Sequence, residues 1–278
     1  CIFIWWTLLR KLIRLKSTHK ITSIADFISA RYNKAQLLAA IVTIIAIVGI
    51  LPYVALQLKA NISTFLMITA PSSTELDAVG RGAHWIRGHV GPVTVLLMIA
   101  FTIILGVRRL APTERHEGMV MALAAECLVK LVAFLMAGVF VTYFVFNGFT
   151  DIFRRISETT HRDLIESWVM GSSTYVTWTS YLLLSMSAIL FLPRQFHIAV
   201  VENFDEKHIR TAMWLFPLYM LLINVFVLPI ALGGLIKGYP IEAADTFVLM
   251  LPLDYGKAWL SLLVFIGGAS AGAGMIMV

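Results

Sequence analysis

Two oppositely charged side chains interrupt one of the longest apolar stretches of the sequence. Glu126 and Lys130 are the only Asp, Glu, Lys or Arg residues between positions 118 and 146. Their spacing of four places them on one face of a helix, where they can form an ion pair. Charged groups inside a membrane helix often serve as proton relays or substrate contacts. The pair therefore predicts either a coupling site or a structural ion pair that fixes helix packing.

Further polar and aromatic side chains lie inside apolar stretches, where a solute would meet them. Pro52 is expected to kink one stretch, and Tyr53 and Gln57 follow it one turn apart. Serines in membrane helices also bond to their own helix or to a neighbouring one, so packing is the alternative to solute binding. The side chains predicted to face a substrate cavity are those of Tyr53, Gln57, Trp178, Tyr181, Ser185 and Ser187.

A run of small residues, 267–274, lies in the last apolar stretch. Small side chains allow two helices to approach closely. Backbone carbonyls and the Ser270 hydroxyl also offer oxygen atoms to a cation. The run favours close helix packing over an ion site.

The composition identifies the class of protein to which these candidates belong. Of 278 residues, 59% are hydrophobic and 14% charged, with a mean hydropathy of +0.84, whereas a soluble domain carries about 25% charged residues. The net charge of +6 comes mainly from short loops, which indicates membrane topology rather than nucleic-acid binding. Two cysteines and seven scattered histidines suggest no disulfide framework and no metal or other cofactor. Enzyme motifs are absent, so we expect a membrane protein without enzymatic activity.

The apolar stretches predict one all-α domain over residues 1–278, a polytopic helix bundle. A helix needs roughly 20 mostly apolar residues to cross a bilayer. Both chain ends lie inside apolar stretches, so we expect a fragment truncated at both ends. The expected spans are about 1–9, 37–58, 92–107, 118–146, 174–192, 213–236 and 257–278.

The connections between the predicted spans differ in length and in their content of polar and apolar residues. A polar connection is expected over residues 59–91 and a short amphipathic helix over 21–32. Residues 151–170 mix apolar side chains with charges, which predicts one interfacial helix or two short ones.

A helical hairpin around a charged loop is the clearest feature of the topology. One span ends at Pro193, which cannot donate a backbone hydrogen bond, and the charged loop 193–212 follows. Pro193 is therefore predicted to be a hinge. Lys and Arg are denser in the loops 10–36, 108–117 and 193–212 than in the alternate loops, which places these three in the cytoplasm.

The hairpin and three other segments resemble the sodium/solute symporter family. Residues 23–32 look like the family's loop before the third core helix, and residues 53–58 are similar to its Tyr-x-Ala-x-Gln pattern. Residues 262–273 align with the start of the eighth core helix. The segments 192–197, 201–203, 214–219 and 114–118 look like the branch that is fused to sensor histidine kinases.

The resemblance implies a fold of two inverted repeats of five helices, with the substrate near the midplane at broken helices. This chain would hold part of that fold, from the end of the second core helix into the eighth. Family members ligate sodium with two hydroxyl side chains of the eighth helix, where this chain has Gly272 and Ala273. Only the Ala269 carbonyl and Ser270 are left as ligands, so we expect weak sodium dependence. Na+ or H+ is the implied coupling ion, with H+ favoured.

The function implied by the resemblance is secondary symport of a small solute, such as an amino acid or an organic acid. The chain would be the transporter-like input domain of a sensor histidine kinase, with cytoplasmic kinase domains after Val278 and any kinase activity in them. The alternative is a sensory membrane domain that binds solute without net transport. In either case the implied partners are the lipid bilayer and a small solute, and the location is the bacterial inner membrane.

Overall fold

The fold is built from α-helices throughout the part of the chain that the structure describes. A computed structural model describes residues 5–19, 21–69, 80–105, 117–158, 174–203 and 205–277, and contains no strand in these ranges. The helices are α1 (Arg10–His19), α2 (Ile24–Arg31), α3 (Gln36–Ile68), α4 (Gly80–Leu105), α5 (Glu117–Val139), α6 (Phe149–Ser157), α7 (Thr174–Phe191), α8 (Pro193–Phe196), α9 (Lys207–Asn224), α10 (Val227–Ile236), α11 (Phe247–Asp254) and α12 (Ala258–Met277).

Single turns of other helix types extend or join these elements. π-Helical turns cover Trp5–Leu9, Phe140–Val145 and His197–Val201, and a 3-10 helix covers Ile241–Thr246. Such turns inside helical segments change the direction of the chain locally and often occur at functional sites. Two of the π-helical turns extend α5 and α8 without a break.

Within the described ranges, four helical segments are long and apolar enough to cross a membrane. They are Gln36–Ile68, Val120–Val145, Lys207–Ile236 and Ala258–Met275. A fifth exists if Tyr175–Ala188 and Pro193–Val201, which meet at 45°, form one bent span. The predicted all-α polytopic membrane bundle is thereby confirmed. The seven spans and the inverted repeat stay predictions.

The prediction of a polar connection over residues 59–91 is wrong at both ends of that range. α3 continues through Lys59 to Ile68, and α4 begins at Gly80, so Pro92 lies inside a helix. A single lysine does not end such a helix, because its long stem lets the ammonium group reach the membrane interface. Residues 62–68 are again mostly apolar, so the helix continues. Residues 70–79 lie outside the described ranges.

The short connecting helices agree better with the sequence. α2 begins at the expected place because the Ser23 hydroxyl accepts a hydrogen bond from the Asp26 N–H at 3.1 Å. α6 confirms an amphipathic helix in the first part of 151–170, and residues 159–170 lie outside the described ranges. The loop expected over 193–212 is largely helical, since α8, a π-helical turn and the start of α9 occupy it.

Two separate apolar clusters hold the helices together. The first joins the end of α5 to α6, α10 and α11. Glycines permit this close packing: a Cβ added at Gly138 would overlap Phe226, and one added at Gly234 would overlap Phe247. The second cluster joins α1 to the segment after Pro193, and consists of Leu9, Leu12, Ile13, Ile21, Phe196, Val200 and Ile209.

Candidate functional site

The helix that ends with α7 breaks at Pro193, and the break creates the candidate site. Leu192 is extended, with φ −65° and ψ 130°, and Pro193 is the first residue of α8. Proline disfavours the helical conformation in the residue before it and fits the first position of a helix without strain. The chain therefore bends by 45° at this point. The bend is the one expected at Pro193, and its movement as a hinge stays a prediction.

A cavity of about 520 Å3 lies beside this bend. α2 and α3 form one wall through Ile24, Ile50 and Tyr53, and residues 192–197 form the other. Met275 of α12 closes it from a third direction. The tertiary structure thus brings Tyr53 and Pro193, two residues singled out from the sequence, to the same cavity.

The side chains of Arg194 and His197 line the cavity on the α8 side. The Arg194 Nε atom is buried and has no hydrogen-bond partner among the described residues. The His197 Nε2 atom lies 3.4 Å from a carboxylate oxygen of Glu202. The polar groups of Ser23, Tyr53 and Gln195 also line the cavity. This arrangement offers hydrogen-bond donors to a small polar ligand among otherwise apolar walls.

The opposite side of the α8 segment is attached to α1 by what we call the clasp. The clasp consists of Phe196 and Val200 in the second apolar cluster, and of polar contacts from Arg10, Arg14 and Lys16. Glu206 accepts hydrogen bonds from Arg10 Nε at 2.8 Å and from Arg14 Nε at 2.5 Å. Lys16 donates to the backbone carbonyls of Val201 and Asn203. The clasp thereby fixes the wall of the cavity that carries Arg194.

The carboxylate of Glu206, in the clasp, is held in its ionised form. Hydrogen bonds from Arg14 and then Arg10 lower the pKa of Glu206 from 4.5 to about 2. Both arginines and the glutamate are partly exposed, so water and salt weaken the pair. The apolar contacts of Phe196 and Val200, both almost fully buried, therefore supply much of the attachment.

The predicted Glu126–Lys130 pair forms at the contact of α5 with α12. Lys130 Nζ lies 3.1 Å from Glu126 Oε1, and 8% of the Glu126 side chain is exposed. The glycines of α12 explain how a carboxylate fits there: a Cβ added at Gly274 would overlap it. The pairing and the close packing of run 267–274 are confirmed, while a coupling role stays a prediction.

Asn61 of α3 lies against another part of the same glycine run. Its side chain is buried, its amide nitrogen has no hydrogen-bond partner among the described residues, and a Cβ at Gly272 would overlap it. Asn61 was not among the residues predicted from the sequence, because residues 59–91 were expected to form a polar connection. The signal that could have found it is the apolar pattern that resumes at Ile62.

The other predicted site residues lie away from the cavity. Ser270 donates its hydroxyl hydrogen bond to the carbonyl of Gly267 at 2.9 Å, and Ala269 is half-buried beside it. Gln57 is half-buried on α3, and does not line the cavity. The structure places the remaining four on exposed parts of α7: Trp178, Tyr181, Ser185 and Ser187. Nearby hydroxyls on α7 donate to their own helix, as those of Thr179 and Ser180 do.

The helix bundle and its cavity have the features of one class of membrane protein. Apolar membrane helices with a polar cavity at a broken helix are typical of secondary transporters. The chain is 27% identical over 237 residues to a protein of Bacillus subtilis (strain 168) that is named "Uncharacterized symporter YhjB". The matched part is 85% of this chain and 43% of that relative, so the chain spans less than half of the relative's length.

No protein-family model and no solved structure matches the chain. The likeness to a symporter and the apolar helices together indicate a multi-pass membrane protein of the transport class. Neither finding tests the predicted fusion to a sensor histidine kinase, which stays a prediction. No three His, Cys, Asp or Glu side chains of the described residues lie close enough together to hold a metal ion.

The clasp yields a test of stability against pH. Because the pKa of Glu206 is lowered from 4.5 to about 2, its contribution is complete above pH 4.5 and is lost as the pH falls toward 2. Glu206→Gln should lower the thermal midpoint at pH 7 by a few degrees and remove part of the fall between pH 4.5 and 2. Thermal unfolding of the purified protein, followed by tryptophan fluorescence, measures both effects.

Glu158→Gln is the matched control, because it removes an exposed carboxylate for which the described residues show no ion pair. That variant should keep the wild-type pH profile. Identical profiles for Glu206→Gln and wild type would show that the ion pairs of the clasp contribute nothing to stability.

Proposed function

We propose that this chain is part of a secondary transporter that moves a small solute across a membrane by symport. The observation that supports the proposal most directly is the cavity at the break between α7 and α8. Polar side chains line this cavity inside an apolar helix bundle. The likeness to a protein named as a symporter supports the same class. A cavity of about 520 Å3 suits a small molecule, in line with an amino acid or an organic acid as solute.

Alternating access follows from the two sets of contacts that the segment after Pro193 makes. Arg194, Phe196 and His197 line the cavity, while Phe196 and Val200 also pack in the clasp. When the clasp opens, the wall of the cavity rotates about Pro193 and the solute gains a path out. When the clasp closes, α1 holds the wall against α2 and α3. The clasp is thus the gate of this proposal, and Pro193 is its hinge.

Coupling is proposed to involve protons at Glu126. In the observed arrangement Lys130 donates a hydrogen bond to this carboxylate. Proton transfer through Glu126 therefore requires the pair to separate, which ties coupling to a movement of α5 against α12. At the possible sodium ligands Ala269 and Ser270, a single side-chain hydroxyl is present, and a small hard cation prefers several oxygens.

We further propose that the protein lies in the bacterial inner membrane, with the clasp on the cytoplasmic side. The density of Lys and Arg in the loops 10–36 and 193–212 supports this orientation. A sensory domain that binds solute in the same cavity without transport is the alternative, and kinase domains in the same full-length protein would read out its state. Solute binding without uptake in the assay below would favour this alternative.

The proposal predicts that Tyr53 contributes to solute affinity. Tyr53→Ala in the full-length protein should raise the KM for uptake about tenfold, because removing an aromatic wall of the cavity loses roughly 1.4 kcal/mol of contact. Uptake of a panel of radiolabelled amino acids and organic acids into proteoliposomes provides the measurement. The control is Tyr175→Ala, which removes an 87% exposed tyrosine of α7 and should leave the KM unchanged.

Equal KM values for wild type and Tyr53→Ala would remove this cavity as the solute site. Ser185→Ala in the same assay tests the separate prediction that α7 contributes to binding. If no solute of the panel is taken up by the wild-type protein, the transport proposal itself fails.

Sodium dependence gives a second test. We expect uptake to fall by less than about twofold when sodium is replaced by choline at fixed pH, because the potential sodium ligands of α12 offer few oxygens. An imposed proton gradient should instead stimulate uptake. A rate that collapses in choline would contradict proton coupling and would show that the sodium site has been placed wrongly.

A pair of variants separates the two interpretations of Glu126 and Lys130. Glu126→Gln leaves a lysine without its partner between packed helices and should lower stability by up to about 3 kcal/mol. The double variant Glu126→Gln/Lys130→Met removes both charges and should restore stability. If the pair is only structural, the double variant also restores proton-driven uptake. If Glu126 carries the proton, the double variant folds normally but loses stimulation by the proton gradient.

A further inference from the structure

Arg194 differs from four other arginines of the described residues in what it contacts. Arg10 and Arg14 bind Glu206, and Arg154 and Arg155 bind Asp151. The Arg194 Nε atom, by contrast, is inaccessible to water and has no acceptor among the described residues. A guanidinium group has five N–H donors and remains charged at any physiological pH. A buried N–H donor of this kind needs a hydrogen-bond acceptor, and a ligand in the cavity can provide it.

The charges around the cavity show what kind of acceptor fits. The residues that line it include Arg194 and His197 but no aspartate or glutamate. The nearest acidic side chain in the segment, Glu202, is already placed beside His197 and does not line the cavity. The cavity thus carries a positive charge that is not neutralised from within, next to apolar walls that strengthen electrostatic attraction.

The unpartnered guanidinium donor and the positive charge of the cavity favour a ligand that carries an oxyanion. The planar guanidinium matches the geometry of a carboxylate or a phosphate with two parallel hydrogen bonds. The Tyr53 hydroxyl and the Gln195 amide, which also line the cavity, offer further donors. The apolar side chains of Ile50 and Val54 lie on the wall of α3 and leave room for a short carbon skeleton.

We propose that the cavity binds a small organic acid or amino acid with its carboxylate on Arg194. This proposal rests on the proposed function and deepens it by naming the group of the solute that is recognised and the residue that recognises it. A phosphate of a lipid headgroup has the same oxyanion chemistry. The apolar side chains beside Arg194 leave room for a short carbon skeleton, which favours a free solute, and the experiment separates the two sources.

The test compares carboxylates with their neutral amides. The full-length protein, purified in a detergent without added lipid, is titrated with succinate, L-glutamate and L-alanine, and with succinamide and L-alaninamide. Thermal shift and calorimetric titration measure binding. At least one carboxylate should bind, and its amide analogue should bind at least tenfold more weakly. Arg194→Gln should weaken binding of that carboxylate at least tenfold, while Arg194→Lys, which keeps the charge without the planar fork, should weaken it less.

Two further variants keep a folding defect distinct from a binding defect. Arg31→Gln removes an exposed positive charge at the end of α2, outside the cavity, and should bind as wild type does. Gly49→Leu should fill part of the cavity without disturbing the helix, since Gly49 lines it and an added Cβ meets no heavy atom within 4 Å. Weaker carboxylate binding by Gly49→Leu, with an unchanged thermal midpoint, would support the site independently of Arg194.

The possible outcomes separate this proposal from the transport proposal. Binding of a carboxylate that depends on Arg194, without uptake, supports the site and contradicts transport. Uptake of neutral solutes alone contradicts the site and supports transport. Binding of inorganic phosphate and phosphatidylglycerol but of no soluble carboxylate would assign the cavity to a lipid headgroup and overturn the proposal. The absence of binding by every carboxylate of the panel would overturn it as well.

Discussion

The ring of Pro193 is the constraint from which the candidate site follows. A helix that enters from α7 cannot continue straight, because proline disfavours the helical conformation of Leu192 and starts a new helix instead. The resulting bend of 45° separates α7 from α8 and leaves space beside it. Without that bend, residues 193–197 would follow the line of α7, and the wall opposite α3 would be absent.

The segment after the bend combines two environments in a few residues. Arg194 and His197 line the cavity, while Phe196 and Val200 are buried against α1 and Ile209. Attachment to α1 therefore determines where the cavity donors lie. The ion pairs of Glu206 are exposed and easily broken, whereas the apolar contacts resist separation. Opening of this attachment, as the proposed gate requires, would break exposed ion pairs and a small set of apolar contacts.

The polar side chains of Glu126 and Asn61 fit inside the bundle because glycines of α12 leave space for them. Glu126 and Asn61 approach α12 from two different helices, and each occupies the space that a Cβ at Gly274 or Gly272 would fill. Burying a carboxylate is costly unless it is paired, and Lys130 supplies the partner one turn away. Asn61 has an amide nitrogen without an acceptor among the described residues. The contact of α12 with α3 and α5 is thus both closely packed and polar.

The sequence by itself determined the features that depend on near neighbours in the chain. Hydropathy predicted the membrane class, the spacing of four predicted the Glu126–Lys130 pair, and Pro193 predicted a break. Each of these depends on residues of a single helix or on adjacent residues of the chain. The end of α3 was misplaced because one lysine resembles a boundary when its apolar continuation is overlooked.

Only the tertiary structure decided which distant residues meet. It placed Tyr53 beside the Pro193 bend, Arg194 at a cavity rather than in water, and Asn61 against Gly272. It also left Trp178 and Tyr181 exposed on α7, away from the cavity for which they had been considered. A helical period shows which residues share a face but not which helix that face contacts. That choice is made by the packing of whole helices, through close glycine contacts and the two apolar clusters.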